Sequence, residues 1–313
     1  MCCIPTRMDT RLAIVTGANS GIGKAVTAEL ARRGCEVIMA CRDMNKAQQA
    51  KDDILDTYGP ENPDTTTINV AFPELGEILT PIYDTQLRLE QIDMASFESI
   101  REFVERVTKL ERPVDFLINN AATVSQTYEV SADGHELHFA VNYLGIVLLT
   151  ELLLPLMKKS RGARIINVSS MFHFNGTLHK PSLHVADNEF GPYVAYCQSK
   201  LALTMYTVEL AERLKGTPVV PISLHPGTVD TGICRDLKNW RDKALRFLLA
   251  PQKITAWESA QMFIHALLRR KITPGGYYDH YERIPPAREA RNKSEREWLW
   301  NKTHEMIGIS RDL

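Results

Sequence analysis

Apolar runs of strand length alternate with helix-length periodic segments along most of the chain, the pattern of parallel βαβ units. Residues 12–15 read as a first strand, followed by glycine-rich punctuation and a helix to Arg33. Strand 36–40 precedes a charged helix at about 43–58. Then come strand 87–92, helix 96–109, strand 114–118 and a long helix over 141–157. Strand 164–168, helix 192–214 and strand 219–224 complete six units, with helix 256–269 and a short strand near Tyr277 beyond. This order predicts a doubly wound α/β Rossmann-type sheet of about seven mostly parallel strands with helices on both faces. Segment 59–85, rich in Pro, Asn and Thr, is too long for an ordinary connection and reads as an inserted surface loop. Within it Thr66, Ile68, Val70 and Phe72 alternate with other residues, as an extra strand or hairpin would. The most apolar run, 144–157, is broken by Glu151 and Pro155 and is shorter than the roughly 18 to 20 residues of a membrane span. It reads as a buried helix.

Composition narrows the class. At 313 residues and 44% hydrophobic, the chain can bury one sizeable core, expected over 10–310 with 1–9 as a tail. Acidic residues number 38 against 37 Lys and Arg, so no global field gathers nucleic acid or an anionic membrane. The six cysteines show neither a CxxC pair nor zinc-ligand spacing, and no charged-then-apolar leader precedes the first strand. A reduced, cytoplasmic protein is expected. Lipidation of Cys2 or Cys3 is the alternative to a free N-terminus.

Between the first strand and its helix stands Thr16-Gly17-Ala18-Asn19-Ser20-Gly21-Ile22-Gly23-Lys24. Glycines let a backbone turn tightly against a pyrophosphate, while N–H groups at a helix N-terminus attract the anion. The second strand ends Ala40-Cys41-Arg42-Asp43. An acid there would bind the ribose 2′-hydroxyl of NAD, whereas a guanidinium suits a 2′-phosphate. Cys41 occupies the acid's place and Arg42 follows, which points to NADP(H) over NAD(H). Asp43 either caps the next helix or competes for the ribose.

Farther on, Tyr196 and Lys200 stand at i and i+4 on one helical face. Bringing a phenol from a pKa near 10 to neutrality takes roughly 4 kcal/mol of phenolate stabilisation, which a nearby cation in a dry cleft can supply. Such a pair alone is weak. With it run Asp93 after the third strand, Asn119-Asn120-Ala121-Ala122 after the fourth, Asn142 in Val-Asn-Tyr-Leu-Gly, Asn167-Val168-Ser169-Ser170 after the fifth and His225-Pro226-Gly227 after the sixth. In this combination the chain resembles the short-chain dehydrogenase/reductase family, in the branch that includes retinol dehydrogenases and the WW-domain oxidoreductase.

The resemblance implies reversible hydride transfer between NADP(H) and a small carbonyl or alcohol substrate. Tyr196 would exchange the proton, Ser170 would hydrogen-bond the substrate oxygen, Lys200 would lower the tyrosine pKa and hold the nicotinamide ribose, and Asn142 would position a relay water. Cofactor contacts are implied at Gly17, Asn19, Ser20, Gly21, Ile22, Gly23, Arg42, Asp93, Met94, Asn119 and Ala121. Pro226, Gly227 and Thr231 would hold the nicotinamide. Ala122 departs from the family's glycine. No metal is implied: His173, His179 and His184 lack ligand spacing and are expected to line the substrate cleft. Cys197 is expected to pack in the core. Segment 232–252 reads as a substrate lid, or secondarily as a peripheral membrane contact, and its apolar residues favour lipophilic retinoids, steroids or aliphatic aldehydes. The helices carrying Asn142 and Tyr196 offer a self-complementary face for a homodimer. A silent NAD(P)-binding scaffold and an epimerase or dehydratase remain as alternative classes.

Overall fold

The computed structural model describes residues 6–62, 78–185, 187–229 and 253–310. Thr231, the lid segment 232–252, the alternating residues at 66–72, Cys2 and Cys3 lie outside them. The order is β1 (Leu12–Thr16), α1 (Gly21–Arg32), β2 (Glu36–Cys41), α2 (Met44–Tyr58), β3 (Leu87–Gln91), α3 (Phe97–Thr108) and β4 (Phe116–Asn119). Helix α4 (Leu137–Met157) leads to β5 (Ala163–Val168), α5 (Pro192–Arg213), β6 (Val219–His225), β7 (Thr228–Val229) and β8 (Lys253–Ile254). The chain continues through α6 (Ala256–Leu268), β9 (Tyr277–Asp279), β10 (Glu282–Ile284), α7 (Arg288–Arg291) and α8 (Lys293–Ile307).

Eight strands form one sheet in the order β10-β9-β6-β5-β4-β1-β2-β3, parallel except for the β9–β10 hairpin. The doubly wound expectation holds, and β10 is the strand beyond the expected seven. Strand ends meet along one edge, with Thr16 beside Ala40, Asn119 beside Asn167 and Val168 beside Leu224. The order reverses between β1 and β4, which opens a crevice at their carboxyl ends.

Amphipathic helices cover both faces. In α3 the buried residues Ile100, Phe103, Val104 and Val107 recur at helical spacing, and Ser96 starts the helix by accepting from the Ser99 N–H. One core joins α3, α4, α5 and α8 to the sheet, and the other joins α1, α2 and α6 to its opposite face. Helix α4 is longer than its apolar run suggested. Its 21 residues would suffice in length to cross a membrane, but 89% of its most apolar window is buried in the protein.

Two expectations change. Ile78, Leu79 and Ile82, the return of the 59–85 segment, are buried rather than solvated, and main-chain bonds tie Thr80 to Arg32 and Ile82 to Tyr58. Ile82 joins the core under α1 and α2, while Ile78 and Leu79 pack as a separate small cluster, and each gains more there than in water. Helix α8 also packs across α4 and α5: Trp300 stacks on Tyr206 at 5.7 Å, Thr303 pairs with the Tyr143 hydroxyl at 2.6 Å, and His304 Nε2 lies 2.8 Å from Glu151. Part of the face expected to meet a second copy is thus covered by the chain itself.

Candidate active site

The turn after β1 is built for close approach. Gly17 has φ +66°, a conformation costly for a side chain. At Gly23 a Cβ would sit 2.3 Å from the Gly17 carbonyl oxygen, so α1 packs this tightly on the turn only without one. The Asn120 carboxamide donates to the Thr16 carbonyl at 3.0 Å, and Thr16 Oγ1 accepts from the N–H groups of Asn120 and Ala121, each at 3.0 Å. The turn holding Gly17, Asn19, Ser20, Gly21, Ile22 and Gly23 is thereby fastened to the end of β4. Ser20 heads α1 without a side-chain cap, and the first turn carries no acid. The positive end of α1 stays open to an anion, as a pyrophosphate would require.

At the end of β2, Cys41 is 1% exposed beneath this turn, and burial pushes its thiol up to about 11. It is a neutral floor, unable to stand in for a carboxylate. Arg42 is exposed, and its guanidinium has no hydrogen-bond or ion-pair partner among the described residues. Asp43 accepts from the Lys46 N–H at 3.1 Å and so caps α2, which settles the two roles open to it. That bond holds its carboxyl below the usual range.

Several cofactor candidates reach the crevice through backbone rather than side chain. Asn119 is 1% exposed and gives its amide to Thr150 Oγ1 at 3.0 Å and Asn167 Oδ1 at 2.8 Å, while Asn167 donates to Thr207 at 2.9 Å. This belt ties β4 and β5 to α4 and α5 and turns the Asn119 carboxamide inward, its amide nitrogen occupied and its Oδ1 buried with no hydrogen-bond partner among the described residues. Met94 is likewise packed in the core. Asp93 braces its loop by accepting the Ala95 N–H at 2.9 Å, and Ala121, half-buried, packs at the core's edge. Pro226 is fixed through its carbonyl by Ser259 Oγ at 2.9 Å; Gly227 has φ +77°, and a Cβ there would meet Ile254 at 2.6 Å.

The acid–base candidates come from three places: Tyr196 and Lys200 from α5, Asn142 from α4 and Ser170 from the end of β5. Lys200, 2% exposed, donates to the Val168 carbonyl at 2.8 Å, two residues before Ser170, and its Nζ lies 5.6 Å from the Tyr196 ring centre. Asn142 sits in a π-helical turn (Ala140–Leu144) of α4. Its Oδ1 accepts from the Thr123 N–H at 2.8 Å, and its Nδ2 donates to the Thr123 carbonyl at 3.0 Å and Ser199 Oγ at 3.2 Å. Ser199 in turn donates to the Tyr196 carbonyl at 2.7 Å. Ser170 is 7% exposed, and its Oγ accepts only a long 3.3 Å bond from the Phe172 N–H among the described residues. The Phe172 ring stands edge-on to Tyr196 at 6.2 Å. Lysine, tyrosine, serine and asparagine are thus gathered where β5 ends against α5. Sequence reasoning missed Thr123 and Ser199, whose only signal was their nearness in the chain to Asn120 and Lys200.

Burial pushes Lys200 from the ordinary lysine value down to about 7. Between about 7 and 10.5 the unfolded chain keeps a proton that the folded, cofactor-free chain has released, so stability rises with pH across that window. Urea unfolding at pH 7 and at about pH 9.5 is expected to show a contribution on the order of 3 kcal/mol that Lys200→Met abolishes. Parallel pH dependences in the two proteins would mean that Lys200 keeps its proton as an exposed lysine does.

The histidines do not form one group. His173 is 0% exposed, a core residue rather than the cleft lining expected, because both ring nitrogens are engaged internally. His179 is bound to Gln198 of α5 at 2.6 Å, and His184 stacks on His135 at 5.5 Å. Cys197 is 1% exposed, in keeping with packing. Around the tyrosine, Met171, Phe174, Tyr193 and Val194 form a collar of exposed apolar side chains, each between 41% and 48% accessible. Exposed apolar side chains gathered on the two segments that carry Ser170 and Tyr196 suit the docking of apolar matter.

A family model described as short chain dehydrogenase matches residues 11–74 and 69–242. Retinol dehydrogenase 13 of Mus musculus is 36% identical over 306 residues, covering 96% of this chain and 84% of that protein. Retinol dehydrogenase 12 of Bos taurus is 36% identical over 315 residues, covering 99% of this chain and 90% of that protein. The crystal structure of an uncharacterized protein from Mycobacterium Paratuberculosis superposes with a TM-score of 0.73 at 26% identity, covering 98% of this chain and 97% of that one.

Proposed function

The chain belongs to the short-chain dehydrogenase family of oxidoreductases, and from that premise we propose that it is an NADP(H)-dependent reductase of lipophilic aldehydes or ketones, reversible toward the alcohol. The observation that carries the reading is the gathering of Ser170, Tyr196, Lys200 and Asn142 beside an uncapped helix N-terminus. The uncapped turn and the exposed Arg42, without a side-chain partner among the described residues, fit a dinucleotide bearing a 2′-phosphate, which would be held by residues 17–23, Arg42, the main chain near Asn119 and Ala121, and the Pro226–Gly227 bend. When bound, the nicotinamide supplies or accepts the hydride.

The chain's own residues manage the proton and the orientation. Tyr196 gives its phenolic proton to the substrate oxygen during reduction, and Ser170 Oγ donates a hydrogen bond to the same oxygen. The ammonium of Lys200 favours the phenolate left behind, and its loosely held proton near neutrality suits it to replenish Tyr196. The part assigned to Asn142 changes. Both its amide donors are used by Thr123 and Ser199, so its carboxamide positions α5, and a relay water would meet the main chain of the π turn.

The collar of Met171, Phe174, Tyr193 and Val194 supports a lipophilic substrate, and the names of the relatives make retinoids the first class to try. Three buried free thiols, Cys35, Cys41 and Cys197, fit a reducing compartment such as the cytoplasm, with the collar as the point of any peripheral membrane contact. The test is a screen of retinaldehyde, steroid ketones and aliphatic aldehydes, following nicotinamide absorbance with NADPH and with NADH. Turnover with NADPH on an apolar carbonyl is expected. Tight NADPH binding with no turnover on any of them would instead favour a silent cofactor-binding scaffold.

A further inference from the structure

His173 follows Ser170 by three residues and is fully buried. Its ring nitrogens have partners of opposite kind: Nδ1 lies 2.7 Å from the Ser170 carbonyl oxygen, and Nε2 lies 3.1 Å from the Ala287 main-chain nitrogen. A carbonyl can only accept and a peptide N–H can only donate. The ring is therefore neutral, with its single proton on Nδ1. Burial, which holds its pKa below the ordinary histidine value, acts in the same direction. Phe174 and Tyr277 pack against the ring at centroid distances of 4.0 and 4.3 Å, leaving it little room to turn.

The Ser170 carbonyl accepts a second bond, from the His173 N–H at 3.1 Å. Two donors on one oxygen orient the peptide that follows Ser170, and with it the bond that aims its Oγ. Among the described residues that hydroxyl has only the long bond from Phe172 to steady it. Ala287, at the far end of the β9–β10 hairpin, fixes the histidine from behind. We propose that His173 is a positioning residue for Ser170, a neutral strut that aims the serine hydroxyl by joining its peptide to the C-terminal segment. This rests on the reading of Ser170 as the group that hydrogen-bonds the substrate oxygen.

Steady-state kinetics of His173→Asn, His173→Gln, Ser170→Ala and the double variant Ser170→Ala/His173→Gln test it. Asparagine offers an N–H near the Nδ1 position; glutamine offers an acceptor near Nε2 and nothing that reaches Ser170 as directly. Misaiming a group by about 1 Å can cost on the order of 100-fold. His173→Gln is expected to lose about 30-fold or more in kcat, with the KM for NADPH within about twofold, and His173→Asn to stay within about fivefold of the parent. The double variant is expected to be no slower than Ser170→Ala, since a residue acting through the serine has nothing left to aim. Thermal melting and NADPH binding establish that each variant is folded. If the glutamine variant does not bind NADPH, the asparagine variant decides, and slowing as severe as in Ser170→Ala overturns the proposal. Equal losses in the Asn and Gln variants, or multiplying losses in the double variant, overturn it as well. A fully active His173→Gln beside a dead Ser170→Ala defeats the strut alone; a fully active Ser170→Ala defeats the reading of the serine beneath it.

Discussion

Replacing Tyr196 by phenylalanine is expected to lower turnover by about a thousandfold while NADPH binds within about twofold of the parent affinity. A positioned general acid contributes roughly 10²- to 10⁴-fold, and among the described residues neither of its neighbours Ser170 and Lys200 stands ready to replace it. Ser170 can donate a hydrogen bond but is too weak an acid to yield its proton, and Lys200 is directed at the Val168 carbonyl. The substitution removes one oxygen and keeps the ring, which preserves the edge-on contact with Phe172. Loss of rate therefore cannot be assigned to loss of packing. Single-turnover oxidation of NADPH, paired with a fluorescence titration of cofactor binding, separates the two effects. Residual turnover above about a tenth of the parent rate would remove Tyr196 from the proton-transfer role.

Arg42→Ala should weaken NADPH binding by roughly 30- to 100-fold and change NADH binding by no more than about twofold. A charge-assisted bond to a phosphate contributes about 1.5 to 3 kcal/mol, and the fork of a guanidinium can make two. Solvent around the exposed Arg42 reduces that sum to roughly 2 to 3 kcal/mol. The loss should shrink as ionic strength rises. Asp43→Ala is the control, because Asp43 is committed to the start of α2. It should lower the melting temperature modestly through the lost cap and leave the NADPH-to-NADH ratio alone. Equal losses for the two dinucleotides in Arg42→Ala would withdraw the 2′-phosphate assignment.

Much of the candidate site was legible because its signals are short in sequence. The glycine turn, the cation after β2 and the Tyr196–Lys200 spacing each lie within ten residues, and local geometry dictates what such spacings bring together. The same holds for α3, whose helical periodicity marked its limits to within one residue. Legibility failed where distant contacts chose among local options. The partners of the Asn119 amide, Asn167 and Thr150, lie 48 and 31 residues away and could not be read from the sequence around it. His173 looked like cleft lining until Ala287, 114 residues away, was seen to occupy Nε2. The burial of Ile78, Leu79 and Ile82 could not be read from a segment rich in turn-forming residues.

From its order of residues alone, this chain determines a mostly parallel, doubly wound sheet, a glycine turn at the head of α1 and a tyrosine–lysine pair on one helical face, since these follow from periodicity, glycine and helical spacing within one unit. Tertiary structure alone decides that the Asn142 carboxamide is bonded to Thr123 and Ser199, that Cys41 is a neutral floor and that α8 packs across α4 and α5. The reason is physical. A buried polar group must find its partner wherever the fold brings one, and that partner most often belongs to another element, whose position is set by packing and not by the neighbouring sequence.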